Sequence, residues 1–150
     1  MSSKRNFRTM QRSVLTGFVL FLLGVSIASA QERPNVTVRP LLSTQVTATG
    51  QPIVLPQRDV QLIVSEFEIA PGATMPVHRH PFPRYAIVME GTLRVARPGR
   101  QDVFEYVAGD VVVEMVGELH FGTNTGTTAV RLIVIDQVIA GSPHTVVDGK

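Results

Sequence analysis

The sequence predicts an all-β domain, a sandwich or barrel of short strands, and three observations predict it. From Gln61 onward, stretches rich in Val, Ile, Phe and Tyr follow one another at short intervals. Each is bounded by Gly, Pro, Asn or Asp, the residues that turn a chain. Beyond the first thirty residues, no window keeps a helical period over three turns. Short strands at such spacing make a sandwich or a closed barrel.

Taken in order, residues 1–30 form a leader. A basic start (KRNFRTMQR) precedes an apolar run (SVLTGFVLFLLGVSIA), and a small-x-small pattern ends at Ala30. These are the three parts of a secretory signal peptide, with cleavage expected before Gln31. The apolar run falls short of the ~20 residues that a membrane anchor would use. Residues 31–60, rich in Pro, Thr and Gln, read as an extended N-terminal arm lying along a sheet edge. Residues 61–138 hold the strands. QLIVSEFEIA alternates and turns at Pro71-Gly72, and YAIVMEGTLRVA folds back at Glu90-Gly91. DVFEYV, VVVEMV, HFGTN and TAVRLIVIDQVI complete the series. Residues 139–150 read as a loose tail carrying an exposed His144. Gly91, Gly109 and Gly117 are expected in turns that need positive φ, with Met89 and Met115 filling the core.

Charge and cysteine content narrow the function. Lys4, Arg5, Arg8 and Arg12 all belong to the leader, so the formal charge falls by four on its removal, from +2 to −2. The basic balance is thus a property of the leader, and no Lys/Arg cluster remains to favour nucleic acid or anionic membranes. The absence of cysteine excludes a disulfide framework, a thiol nucleophile and Cys-type zinc sites. The expected location is the periplasm or the cell exterior. No serine-nucleophile elbow, phosphate loop or paired-carboxylate pattern is present.

The chemistry concentrates in PGATMPVHRHPFPRYAIVMEG. On an extended chain His78 and His80 project to the same side, about 6.5–7 Å apart. Pro81 holds His80 extended, and Pro81 with Pro83 interrupts any continuous strand here. His120, in MVGELHFGTN, lies where a neighbouring barrel strand can run alongside. Three neutral imidazoles suit a divalent transition ion.

The spacing resembles the cupin family. Its first motif runs glycine, five residues, His-x-His, three or four residues, Glu, six residues, glycine; here Gly72, His78, His80, Arg84 and Gly91 occupy those places. Its second runs glycine, five residues, Pro-x-Gly, two residues, His, three residues, Asn; Gly109, Met115, Gly117, His120 and Asn124 fill it, with Met115 in place of proline. The resemblance implies a cupin-type jelly-roll β-barrel. It also implies that His78, His80 and His120 hold Fe, Mn, Zn, Cu or Ni at the barrel mouth.

Arg84 departs from the pattern, standing where the family has its glutamate ligand. A unit positive charge about 5 Å from another costs roughly 3 kcal/mol at an effective dielectric near 20. Arg84 must therefore pair with a carboxylate such as Glu66, Glu68 or Glu114, recruit an anionic ligand, or leave the site metal-free. As substrate-binding residues the sequence offers Arg84, to anchor an anionic group, with Tyr85 and Phe121 at the mouth. Phe82 is a further aromatic there, and Glu114 and Glu118 are the candidate general bases. Two readings follow: a dioxygenase-like metalloenzyme acting on a small anionic molecule, or a non-catalytic module binding a metal or small molecule. A structural barrel with a vestigial site is a third. The resemblance also implies a homodimer.

Overall fold

Apolar side chains alternating along Val60–Ile69 put Ile63, Phe67 and Ile69 on one side of an extended chain, and this is β1. The computed structural model describes residues 36–149; the leader and the start of the arm lie outside the described residues. Eight further strands follow among the described residues: β2 (His78–Arg79), β3 (Arg84–Glu90), β4 (Thr92–Ala96), β5 (Val103–Val107), β6 (Val111–Val113), β7 (Phe121–Asn124), β8 (Val130–Ile139) and β9 (Val146–Val147). The break between β2 and β3 falls at Pro81 and Pro83, neither of which can donate to a ladder.

Four strands form one sheet in the order β1-β8-β3-β6, three form a second in the order β5-β4-β7, and β2 pairs with β9. All of these ladders are antiparallel. The inner faces of the two larger sheets meet in one core of Ile69, Ala86, Val88, Leu93, Val95, Val112, Met115, Val130, Leu132 and Val134. The architecture is a jelly-roll barrel.

Gly91 makes the corner between the sheets. Its φ is 81°, and a Cβ there would lie 2.8 Å from both the Ala129 carbonyl oxygen and Val130 Cγ2. Gly109 and Gly117 also take positive φ, as expected of turn residues. Met89 is not in the core: alternation along β3 buries Arg84, Ala86 and Val88 and puts Met89 on the opposite face with Tyr85 and Ile87, at 52% exposure.

The arm docks on its own chain's edge strand. Ala48 N–H donates to the Val113 carbonyl at 2.9 Å. The Gln51 amide pairs with both backbone groups of Val116, each at 2.9 Å, in the manner of a strand neighbour. The C-terminal residues are not the loose tail expected from sequence. Val146 and Val147 pair with Arg79 and His78, and Asp148 N–H reaches the Val77 carbonyl.

Candidate metal centre

His78 and His120 face each other across an antiparallel bridge, exchanging N–H···O bonds of 2.9 and 2.8 Å. Residues so paired point their side chains to the same side, so the backbone itself sets these two rings together, centroids 4.6 Å apart. His80, two residues along, adds a third ring 4.8 and 5.0 Å from the others. All three histidines are buried.

Each ring spends its Nδ1 on a backbone carbonyl: His78 on Pro76 at 2.7 Å, His120 on Glu118 at 2.9 Å and His80 on His144 at 3.0 Å. A carbonyl can only accept, so Nδ1 carries the proton and the three Nε2 atoms are left to turn inward. Glu114 Oε2 joins them, 2.8 Å from His80 Nε2 and 2.9 Å from His120 Nε2. One ligand atom from each of His78, His80, Glu114 and His120 lies within 4.8 Å of the other three. An ion ~2.1 Å from imidazole and carboxylate donors holds neighbouring donors about 3 Å apart; the two Glu114 contacts have that spacing, and the wider spread of the set, up to 4.8 Å, would close by small ring movements on binding.

Electrostatics agree. Burial alone would raise the Glu114 pKa, but hydrogen bonds with His120 and His80, which without an ion require those rings to carry a second proton on Nε2, outweigh it and hold the carboxyl well below its usual range. Burial would lower His120, yet its bond to Glu114 raises it. His78 has no such carboxylate contact, and burial lowers it. With neutral imidazoles, the negative charges of Glu114 and Asp136 exceed the single positive charge of Arg84, and a cation among the donors offsets the difference.

Glu114 answers the absent glutamate at position 84. Its N–H donates to the Arg84 carbonyl at 3.0 Å, so it is Arg84's cross-strand neighbour, and the carboxylate reaches the histidines from that adjoining chain. Arg84, 4% exposed, stays inside and pairs with Asp136, not with Glu66, Glu68 or Glu114. Its Nε donates to Oδ1 at 2.7 Å and its Nη2 to Oδ2 at 3.0 Å, a bidentate pair across the β3–β8 register. Glu66 sits on the outer face with Arg131. Glu118, the other candidate base, is held by Arg97 and Thr49.

A cavity of about 150 Å³ adjoins the centre, lined by Phe67, Met75, Pro76, His78, Arg84, Thr145 and Val147. Tyr85 and Phe121 take no part in it. Side chains alternate along a strand, so Tyr85 points away from buried Arg84 and Phe121 away from buried His120. Tyr85 instead lines a larger groove of about 850 Å³ with arm residues such as Leu42 and Ile53, across β3 from the histidines. Phe82 is half-buried and absent from the cavity wall; the aromatic residue that does line it is Phe67. His144 is not a free tail residue: Arg84 Nη2 donates to its Nδ1 at 2.9 Å. Asp136 and Phe67 carried a readable signal, since each shares the parity of buried or inward residues on its own strand.

The family description "Cupin domain" matches residues 65–136. Among solved structures, a mutant of Bacillus subtilis oxalate decarboxylase is 23% identical, with a TM-score of 0.50 over 58% of this chain and 24% of that one. The polyketide cyclase RemF from Streptomyces resistomycificus is 21% identical, with a TM-score of 0.46 over 57% of this chain and 62% of its own. A Klebsiella pneumoniae protein with a double-stranded β-helix domain is 23% identical, with a TM-score of 0.47 over 75% and 91%. The chain thus spans about a quarter of the decarboxylase and under two thirds of the cyclase. No curated protein matches the sequence. Likeness at these identities concerns fold alone; the family match and the strands it spans together make residues 65–136 of this chain a cupin domain.

Proposed function

We propose that this chain is an exported single-domain cupin that holds one divalent transition ion on His78, His80, His120 and Glu114 and takes a small molecule in the adjoining cavity. The observation that carries this reading is the inward set of three Nε2 atoms and one carboxylate oxygen, with every Nδ1 already committed to a carbonyl. Imidazole with carboxylate suits Zn, Fe, Mn, Cu and Ni; the Bacillus subtilis oxalate decarboxylase has Mn(II) centres. Bound there, the ion supplies a Lewis acid beside the cavity. The chain's own residues shape the rest: Phe67, Met75 and Val147 present apolar surface, while Arg84 and Thr145 present polar atoms. At about 30 Å³ per water, a cavity of about 150 Å³ that opens to solvent takes in a few non-hydrogen atoms of a ligand beside the ion.

Dioxygenase-like turnover is one use of such a centre, and binding without turnover is the other. The second gains support from Arg84, whose charge is met by Asp136, which weakens the case for an anionic substrate. It gains more from Glu114, which serves as a ligand in this reading and not as a base. Export to the periplasm or beyond rests on residues 1–30. A homodimer joined along β1 is supported by the edge position of that strand and its exposed Val60, Leu62 and Val64; sedimentation of the mature protein tests it.

The decisive experiment is elemental mass spectrometry on mature protein purified without chelator or histidine tag, beside His78→Ala and Glu114→Ala. Near-stoichiometric metal, lost in His78→Ala and reduced in Glu114→Ala, is the expected result. Metal-free native protein that also refuses added Zn(II), Mn(II) and Fe(II) would overturn the reading. Oxygen uptake by loaded protein across small carboxylates and diols then separates enzyme from binder.

A further inference from the structure

We infer that the C-terminal segment Ser142–Val147 is a working part of the metal centre, positioning His80 as a ligand; this rests on the metal-binding reading above. The three histidines are not oriented in the same way. His78 and His120 each donate Nδ1–H to the carbonyl two residues earlier, on Pro76 and Glu118, so their orientation is built into their own stretch of chain. His80 has no such local partner. Its Nδ1 donates to the carbonyl of His144, sixty-four residues away, with Thr145 Oγ1 at 3.4 Å.

The same segment holds the groups next to His80. Arg84 Nη2 donates to His144 Nδ1 at 2.9 Å and to Thr145 Oγ1 at 3.0 Å, and Arg84 Nη1 lies 3.4 Å from His80 Nε2. Thr145 and Val147 also form one wall of the cavity. Apart from these side-chain bonds to His80 and Arg84, the segment's backbone hold on the barrel is short: two β9 pairs, the Asp148 N–H to the Val77 carbonyl, and a turn after β8 where Ser142 N–H returns to the Ile139 carbonyl. Two ligands are therefore preset by local structure, and the third depends on a short segment that contributes no residue to the core cluster. A carbonyl on the far nitrogen fixes the tautomer and direction of a ligating histidine, and loss of such a partner costs 10–100-fold in metal affinity.

The test compares full-length mature protein with two variants, a chain ending at Ala140 and full-length Asp148→Pro, which removes the Val77 bond while keeping chain length. Far-UV circular dichroism shows whether each folds; should the shortened chain not fold, Asp148→Pro decides. Cobalt(II) affinity is measured by chelator competition, and its visible absorption reports the ligand field. The His80 Nδ1–H proton is followed by NMR in metal-free protein, where its protection needs no metal. Expected are 10–100-fold weaker Co(II) binding, an altered absorption band, and loss of the protected His80 Nδ1–H signal, with those of His78 and His120 kept. Unchanged affinity, spectrum and His80 signal in a folded variant would overturn the inference. Parent protein that takes up no Co(II) would sink the metal reading instead, and the His80 signal alone would then decide whether the segment positions that ring.

Discussion

Two stretches of one ladder make an instructive pair. Along β3 and β8, Val88 sits opposite Leu132 and Ala86 opposite Val134; one rung further, Arg84 sits opposite Asp136. All six side chains point inward and are buried. Backbone geometry is thus the same at each rung, and only the side chains change, from hydrocarbon to a bidentate ion pair. The apolar rungs gain about 25 cal/mol for each Å² removed from water. The charged rung gains little, because desolvating two ions consumes most of their attraction. What it adds is a fixed positive group beside the histidines whose own charge is already met. One end of the barrel is built to be stable, and the other spends that stability on holding polar groups in place.

The largest separation between the two ends is in metal binding. His120→Ala removes one of four donors and one of the two histidine partners of Glu114, and metal affinity is expected to fall by two decades or more in a calorimetric titration with Zn(II). Unfolding of the metal-free variant should change little by comparison. Undiminished affinity would mean that the ion, if any, sits elsewhere.

Asp136→Ala tests the boundary rung. It leaves the Arg84 guanidinium buried without its carboxylate, a change that costs about 3–5 kcal/mol. The double variant Arg84→Met, Asp136→Leu should recover most of that loss, since replacing a buried pair by apolar side chains is near neutral. Denaturant unfolding of the three proteins checks both statements. A single variant as stable as the parent would show that Arg84 finds another partner.

At the apolar end, Leu93→Ala truncates a side chain only 1% exposed. It should cost about 2–5 kcal/mol, the range for emptying a core leucine site. Metal affinity measured well below the melting point should stay within about twofold. Loss of both properties together would show that the two ends are not separable.

This division also explains what the sequence alone could and could not disclose. Strands were legible because alternation and turn residues are local signals, and the histidine spacing was legible because it lies within short motifs. The partners of Arg84 and of the histidines were not. Glu114 reaches the site from the chain beside Arg84, and Asp136 from the strand on its other side; both depend on strand order, which no local pattern encodes. Tyr85 and Phe121 lie apart from the small cavity for a different reason. Period-2 alternation sets each of them opposite an inward neighbour, so closeness in sequence to Arg84 and His120 does not bring either ring to the cavity wall. The C-terminal strand escaped notice because two residues are too few for alternation to show.

The smallest expected effect is a pH dependence confined to the polar end. The folded pKa of Glu114 lies below its ordinary 4.5, so it contributes stability that is complete above that value and drains away as pH falls further. The folded pKa of His120 lies above its ordinary 6.5, so its contribution is complete below that value and is lost as pH rises through the folded pKa. His78, lowered by burial, adds to the acid loss. Chelator-treated protein should therefore melt at lower temperature on either side of an optimum near pH 6.5, and Glu114→Gln should reduce the acid arm to the part His78 contributes and blunt the alkaline one. Metal-loaded protein should lack the alkaline decline, because the ion takes over the role of the His120 proton. Leu93→Ala, by contrast, should lower the melting temperature at every pH without changing the curve's shape. If Glu114→Gln leaves that shape intact as well, the pH dependence belongs to groups outside the centre, and the polar end is not the titrating unit its geometry indicates.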